Sequence, residues 1–161
     1  MKMTPEELKA KLDAHKLWLE TRGNEEVKGE RLDLSNADLS DADLSDAILV
    51  LAKFTNAKLT EANLSNADLS YADLSSAILV GADLGLANLT GADLTYAELS
   101  YADLTNAKLI NANLSRADLT EANLDVCAAS PLVYDALAAV FAARMALLKT
   151  RTEWKRSRRE P

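Results

Sequence analysis

The sequence predicts an all-β solenoid, a chain that turns a corner every five residues around a leucine-filled axis. Counting from Leu34, every fifth position to Leu124 is Leu, with Phe54 the one exception. Ala stands two residues before these positions without a break from Ala37 to Ala122. Between Ala and Leu the residue is mostly Asp or Asn, and after Leu it is mostly Ser or Thr, as at Asp38, Asn63, Ser35 and Thr95.

A period of five fits neither ordinary element. On an α-helix five residues advance about 500°, so successive Leu would step round by about 140° and define no face. On a continuous strand an odd period sends alternate Leu to opposite sides. The Ala-x-Leu triplet still reads as extended chain, with Ala and Leu on one side and the residue between them on the other. A bend after each Leu keeps every pair facing inward, and Ser, Thr, Asn, Asp and Gly suit such bends. About four corners close a square, so coils of twenty residues at about 4.8 Å spacing give a rod roughly 23 Å tall. The residues assigned to the axis are Leu34, Leu39, Leu44, Leu49, Phe54, Leu59, Leu64, Leu69, Leu74, Leu79, Leu84, Leu89, Leu94, Leu99, Leu104, Leu109, Leu114, Leu119 and Leu124.

Units such as ADLSD, ANLSN, ADLSY and ANLTG resemble the pentapeptide-repeat family over roughly Arg31 to Asp125. The resemblance implies a right-handed quadrilateral parallel β-helix, and the handedness rests on it alone. HKLWLE followed by GERLDLSNADL also resembles the leader of bacterial members.

Residues 1–30 are assigned to an N-terminal capping helix and linker. Thr4 is its cap, Pro5 its first residue, and Glu7 completes a capping box. Leu8, Leu12, His15 and Leu19 fall on one stripe with Trp18 at its margin, and Gly23 is the expected terminator. Such a helix would shield Leu32 and Leu34 at the open end of the coil, where a solenoid exposes both core and sheet edge.

Within the rod (31–127), outward positions twenty residues apart should stack. Asp43, Asn63, Asp83, Asp103 and Asn123 form one such ladder, in which the Asn residues dilute like-charge repulsion. A few outward positions break the polar rule: Ile48, Val50, Leu51, Ile78, Val80, Leu86, Ile110, Tyr71, Tyr96 and Tyr101. Ile48, Val50, Leu51 and Tyr71 gather around one column and are the candidate partner patch.

Residues 128–161 are assigned to a C-terminal helix with a basic tail. Ser130 and Pro131 start it, and its first half is apolar almost all round. A cap needs only one apolar stripe, so the surplus predicts pairing with a second copy in a two-fold homodimer. Leu137, Val140, Phe141, Arg144 and Leu148 are the candidate dimer residues. Trp154 with Arg151, Lys155, Arg156, Arg158 and Arg159 makes the tail basic. A solvated helix end explains it better than nucleic-acid or membrane binding.

Charge is distributed unevenly: net −1 over residues 1–30, −10 over 31–125 and +4 over 126–161. One cysteine, Cys127, excludes an internal disulfide and fits a reducing cytoplasm. No apolar run approaches the roughly twenty residues of a membrane span. No signal-peptide core, phosphate-binding Gly loop, zinc-ligand spacing or calcium nonapeptide is present. Similar carboxylates spread over a convex rod offer no convergent site, so neither catalysis, cofactor, metal nor small-molecule substrate is expected. The reading is a rigid acidic scaffold for a protein partner. The alternative implied by the resemblance is a DNA mimic that binds DNA gyrase or topoisomerase, as quinolone-resistance members do. A net charge of −10 on such a rod is well below duplex density, about one charge per 1.7 Å.

Overall fold

Each Ala-x-Leu unit runs extended for three residues and then turns. In the computed structural model, which describes residues 2–125 and 127–129, the corner is closed by a backbone hydrogen bond from Ala to the preceding Leu. Ala37 N–H donates to the Leu34 carbonyl at 3.0 Å, and the pattern continues to Ala122 and Leu119 at 3.1 Å. The second corner residue has positive φ, as at Asn36 (62°) and Glu121 (57°). An i→i+3 bond with positive φ at the third position is the signature of a type II turn.

The sides stack in parallel with a twenty-residue register. Asp33 pairs with Lys53, Asp38 with Lys58, Asp43 with Asn63 and Ile48 with Asp68, and each series continues upward. Each rung is tied both ways, with Leu34 N–H donating to Lys53 O (2.8 Å) and Lys53 N–H to Leu32 O (3.0 Å). Among the described residues, regular strand is confined to β1 (Lys108–Leu109) and β2 (Ala128–Ala129), which pair in parallel. Elsewhere a side is only three extended residues long and contributes a single bridge, because a corner follows at once.

The axis is filled by side chains. Leu34, Leu39, Leu44 and Leu49 in the first coil, Phe54, and the Leu at every fifth position from Leu59 to Leu109 are at most 1% exposed. Leu114, Leu119 and Leu124 are also buried. Ala packs where the walls converge, and Ala52 through Ala107 are buried at each turn.

The first coil is covered by α1 (Pro5–Thr21), which starts with the capping box of Thr4 and Glu7. Leu8 and His15 are buried on its inner face, and Leu12 packs against the core. Leu32 and Leu34 are buried beneath it. The expected role of Gly23 needs correction. The helix ends at Thr21, with Arg22 still in the right-handed region, and its N–H donates to Trp18 O at 2.8 Å. The left-handed glycine is Gly29 (φ 74°), where the chain passes so close to α1 that a Cβ would lie 2.2 Å from the Ala14 carbonyl oxygen. The expected C-terminal helix, its dimer residues Leu137, Val140, Phe141, Arg144 and Leu148, and the basic tail lie outside the described residues.

Candidate interaction surfaces

The register sorts outward residues into columns of distinct chemistry. On the Asp43 side stand Asp43, Asn63, Asp83, Asp103 and Asn123. The corner before it carries Asp41, Glu61 and Glu121, and the corner after it Asp46 and Asp125, with no cation in any of the three columns. Together they hold a net −8 of the −10 between residues 31 and 125. The corner diagonally opposite consists above Arg31 of Val50–Leu51, Ser70–Tyr71, Thr90–Gly91 and Ile110–Asn111, and has no charge. The rod is therefore acidic along one side and uncharged at one corner away from it.

Ile48, Val50, Leu51 and Tyr71 lie along and beside this neutral corner. Tyr71 is 61% exposed and Ile48 49% exposed, while Val50 and Leu51 are half-buried. The backbone of the last two is engaged by the N-terminal segment, since Arg31 Nε donates to Leu51 O at 2.6 Å and His15 Nε2 meets Val50 O at 3.1 Å. Ile110, three coils above Val50, extends the same corner and is 43% exposed. Grouping Ile110 with the others requires only counting in twenties, a signal present in the sequence. Gly91 (φ 68°) stands directly above Tyr71, and a Cβ there would lie 2.6 Å from the ring, so glycine lets the tyrosine lie along the column. Tyr96 is engaged differently: Arg116 stacks over its ring at 5.3 Å and donates to its hydroxyl at 2.9 Å.

The Asp and Asn residues between Ala and Leu have a second job that periodicity did not disclose. Their Oδ1 accepts from the N–H two residues on, as Asp43 does from Ser45 (3.1 Å) and Asn63 from Ser65 (3.0 Å). These are Asx turns that hold the corner. Hydrogen bonds from Ser45, Ser40, Ser35 and Thr120 hold the carboxyls of Asp43, Asp38, Asp33 and Asp118 below the usual range. Such carboxylates are poor proton donors near neutrality, unlike a catalytic acid.

His15 completes the first coil in place of a missing rung. Leu32 N–H donates to its Nδ1 at 3.0 Å, so the proton sits on Nε2, which donates to Val50 O. Trp18 stacks on the ring at a centroid distance of 5.7 Å. Burial lowers the His15 pKa, with Arg31 and Arg22 acting in the same direction. Burial pushes the Cys127 thiol up, away from the reactive thiolate. Among the described residues no group of His, Cys, Asp and Glu is placed to hold a metal ion. None of their helices is long and apolar enough to cross a membrane.

A family model described as pentapeptide repeats (8 copies) matches residues 47–85, 67–100 and 87–125. The chain belongs to the pentapeptide-repeat family. Members of this family form right-handed β-helices, which sets the hand of the coil. Among solved structures, a pentapeptide-repeat protein of the cyanobacterium Cyanothece 51142 is 37% identical, with 56% of this chain and 61% of that chain covered and a TM-score of 0.55. One from the Arabidopsis thaliana thylakoid lumen is 35% identical, with 58% and 63% covered and a TM-score of 0.54. This pentapeptide-repeat protein thus spans about three-fifths of the length of either relative. A plasmid-mediated fluoroquinolone-resistance protein is 21% identical with a TM-score of 0.29, which carries no functional argument. No curated protein matches the sequence.

Proposed function

We propose that this pentapeptide-repeat protein is a non-enzymatic scaffold that binds a protein partner along its neutral corner. The observation that carries this reading is the sorting of side chains by the twenty-residue register. Val50, Leu51, Tyr71 and Ile110 gather on one uncharged edge, with Ile48 beside them, away from the acidic side. Desolvating such an edge costs little, whereas the carboxylates opposite stay hydrated and discourage binding there. The test is capture from a lysate of the source organism by wild type and by an Ile48→Asp/Tyr71→Ser variant with an unchanged melting temperature. Loss of a specific partner in the variant supports the reading, and equal capture overturns it.

The alternative, a mimic of duplex DNA for gyrase or topoisomerase, draws on the acidity of the rod and on the expected C-terminal dimer. Against it stands the one-sided net charge, since every cation of residues 31–125 lies outside the acidic columns, whereas a duplex carries phosphates all around its axis. Gyrase supercoiling should be unchanged by micromolar protein, with or without quinolone. A cytoplasmic homodimer formed through residues 132–148 belongs to the same proposal and rests on the sequence pattern. Sedimentation as a monomer across a wide concentration range would refute the dimer.

A further inference from the structure

We propose that the open edge of the first coil, on its Asp43 side, takes an extended peptide strand bearing a cationic side chain next to an apolar one. The site is at the end of the rod and stands or falls independently of the neutral corner.

The backbone supplies the first argument. Within the rod the N–H of each central residue donates to the coil below, as Asn63 N–H does to Ala42 O at 2.9 Å. The first coil has no coil below it, so its edge groups need other partners. On the Asp38 side they find one within the chain: Lys2 pairs in parallel with Asp38, and Met3 N–H donates to Asp38 O at 3.2 Å. At the Leu51 corner His15 serves. On the Asp43 side, no described residue pairs with the Asp43 N–H or carbonyl from below. An unpaired edge of this kind accepts an added strand.

The second argument is space. A groove of about 470 Å³ opens between α1 and this edge, lined by Met3, Leu8, Leu12, Leu39, Ala42 and Asp43 among others. Ala42 is half-buried there, whereas Ala62, one coil above it, is fully buried. An apolar side chain entering the groove would complete the cover that Ala62 already has.

The chemistry of the occupant can be read from the neighbouring side. There Met3 packs against the core while Lys2 Nζ reaches Asp41 at 3.0 Å. Asp41 is three residues after Asp38, and Asp46 is three residues after Asp43. A Lys or Arg on the added strand would therefore meet Asp46 as Lys2 meets Asp41, with an adjacent Met or Leu in the groove. The acidic columns that rise above this edge favour a cation over an anion there.

The experiment is titration of isotope-labelled full-length protein with the peptide acetyl-Ser-Lys-Met-Thr-amide, followed by amide chemical shifts. Saturable shifts centred on Ala42, Asp43 and Leu44 are expected at millimolar peptide. The acetyl-Ser-Glu-Met-Thr-amide probe should bind at least about tenfold more weakly, the scale of one charge-assisted contact. Asp43→Pro removes the edge donor and should weaken binding by a similar factor. Should that variant melt early, Asp46→Lys at an exposed position replaces it. Any of four results would overturn the proposal: no saturable shift, equal binding of the Glu probe, shifts centred on Asp38 through displacement of Lys2 and Met3, or self-association of the edge without peptide.

Discussion

Leu86 holds a φ of 61° while 57% exposed, a left-handed conformation that costs an L-residue about 1–2 kcal/mol. Among the described residues, sixteen non-glycine residues share this corner conformation, Tyr71, Tyr96, Tyr101 and Glu61 included. Asn tolerates the region far better than Leu, so Leu86→Asn should raise stability by about 0.5–1 kcal/mol, measured by urea denaturation. This demand of the backbone was hidden in the sequence, because Asn and Gly share the position with Leu, Tyr, Glu and Arg. The axis was plain by contrast, since a leucine at the core has no substitute of equal shape. Leu74→Ala should cost about 3 kcal/mol for lost burial and the cavity left behind.

His15 makes the stability of the first coil depend on pH. Its folded pKa is lowered from 6.5, so the neutral form is favoured by folding. The contribution is complete above the unfolded value and is lost as pH falls below about 6.5 towards the folded pKa. Protonated Nδ1 would also face the Leu32 N–H as a second donor. The urea midpoint of wild type should therefore fall between pH 7.5 and 5.5, and His15→Gln should remove that slope. The carboxylates held low by corner hydrogen bonds act in a separate window, with stability present above about pH 4 and lost below it.

At the scale of elements, α1 joins the rod through few but specific contacts. Its capping box was legible as Thr4-Pro5-Glu6-Glu7, and so was the stripe of Leu8, Leu12 and His15. The return of the chain was not, because it depends on a tertiary approach that no local pattern encodes. Thr21 helps to close that return by accepting from Lys28 N–H at 2.9 Å, and Gly29 then passes against Ala14. Gly29→Ala faces both a left-handed φ and a backbone clash, so it should cost about 2–3 kcal/mol. The same change should increase amide exchange at Leu32, whose N–H is held by His15. Exchange left as in wild type would show that the cap does not depend on this approach.

The whole molecule is a consequence of two numbers, five residues to a corner and twenty to a coil. Five was visible in the leucines, while twenty was inferred from the closing of a square. The structure carries it in the parallel pairs, which also explains why the acidic and neutral columns run on different sides. The apolar residues of the proposed patch were legible as exceptions to a polar rule, and Ile110 joins their corner when the coils are stacked. Thiol cross-linking between outward positions tests this register most directly. In a Cys127→Ser background, a short bifunctional reagent should join the cysteines of Asn63→Cys/Asp83→Cys, which lie one coil apart at about 4.8 Å. It should leave Asn63→Cys/Asp73→Cys, half a coil apart, unlinked. Linking of the second pair, or failure of the first in folded protein, would contradict the coil.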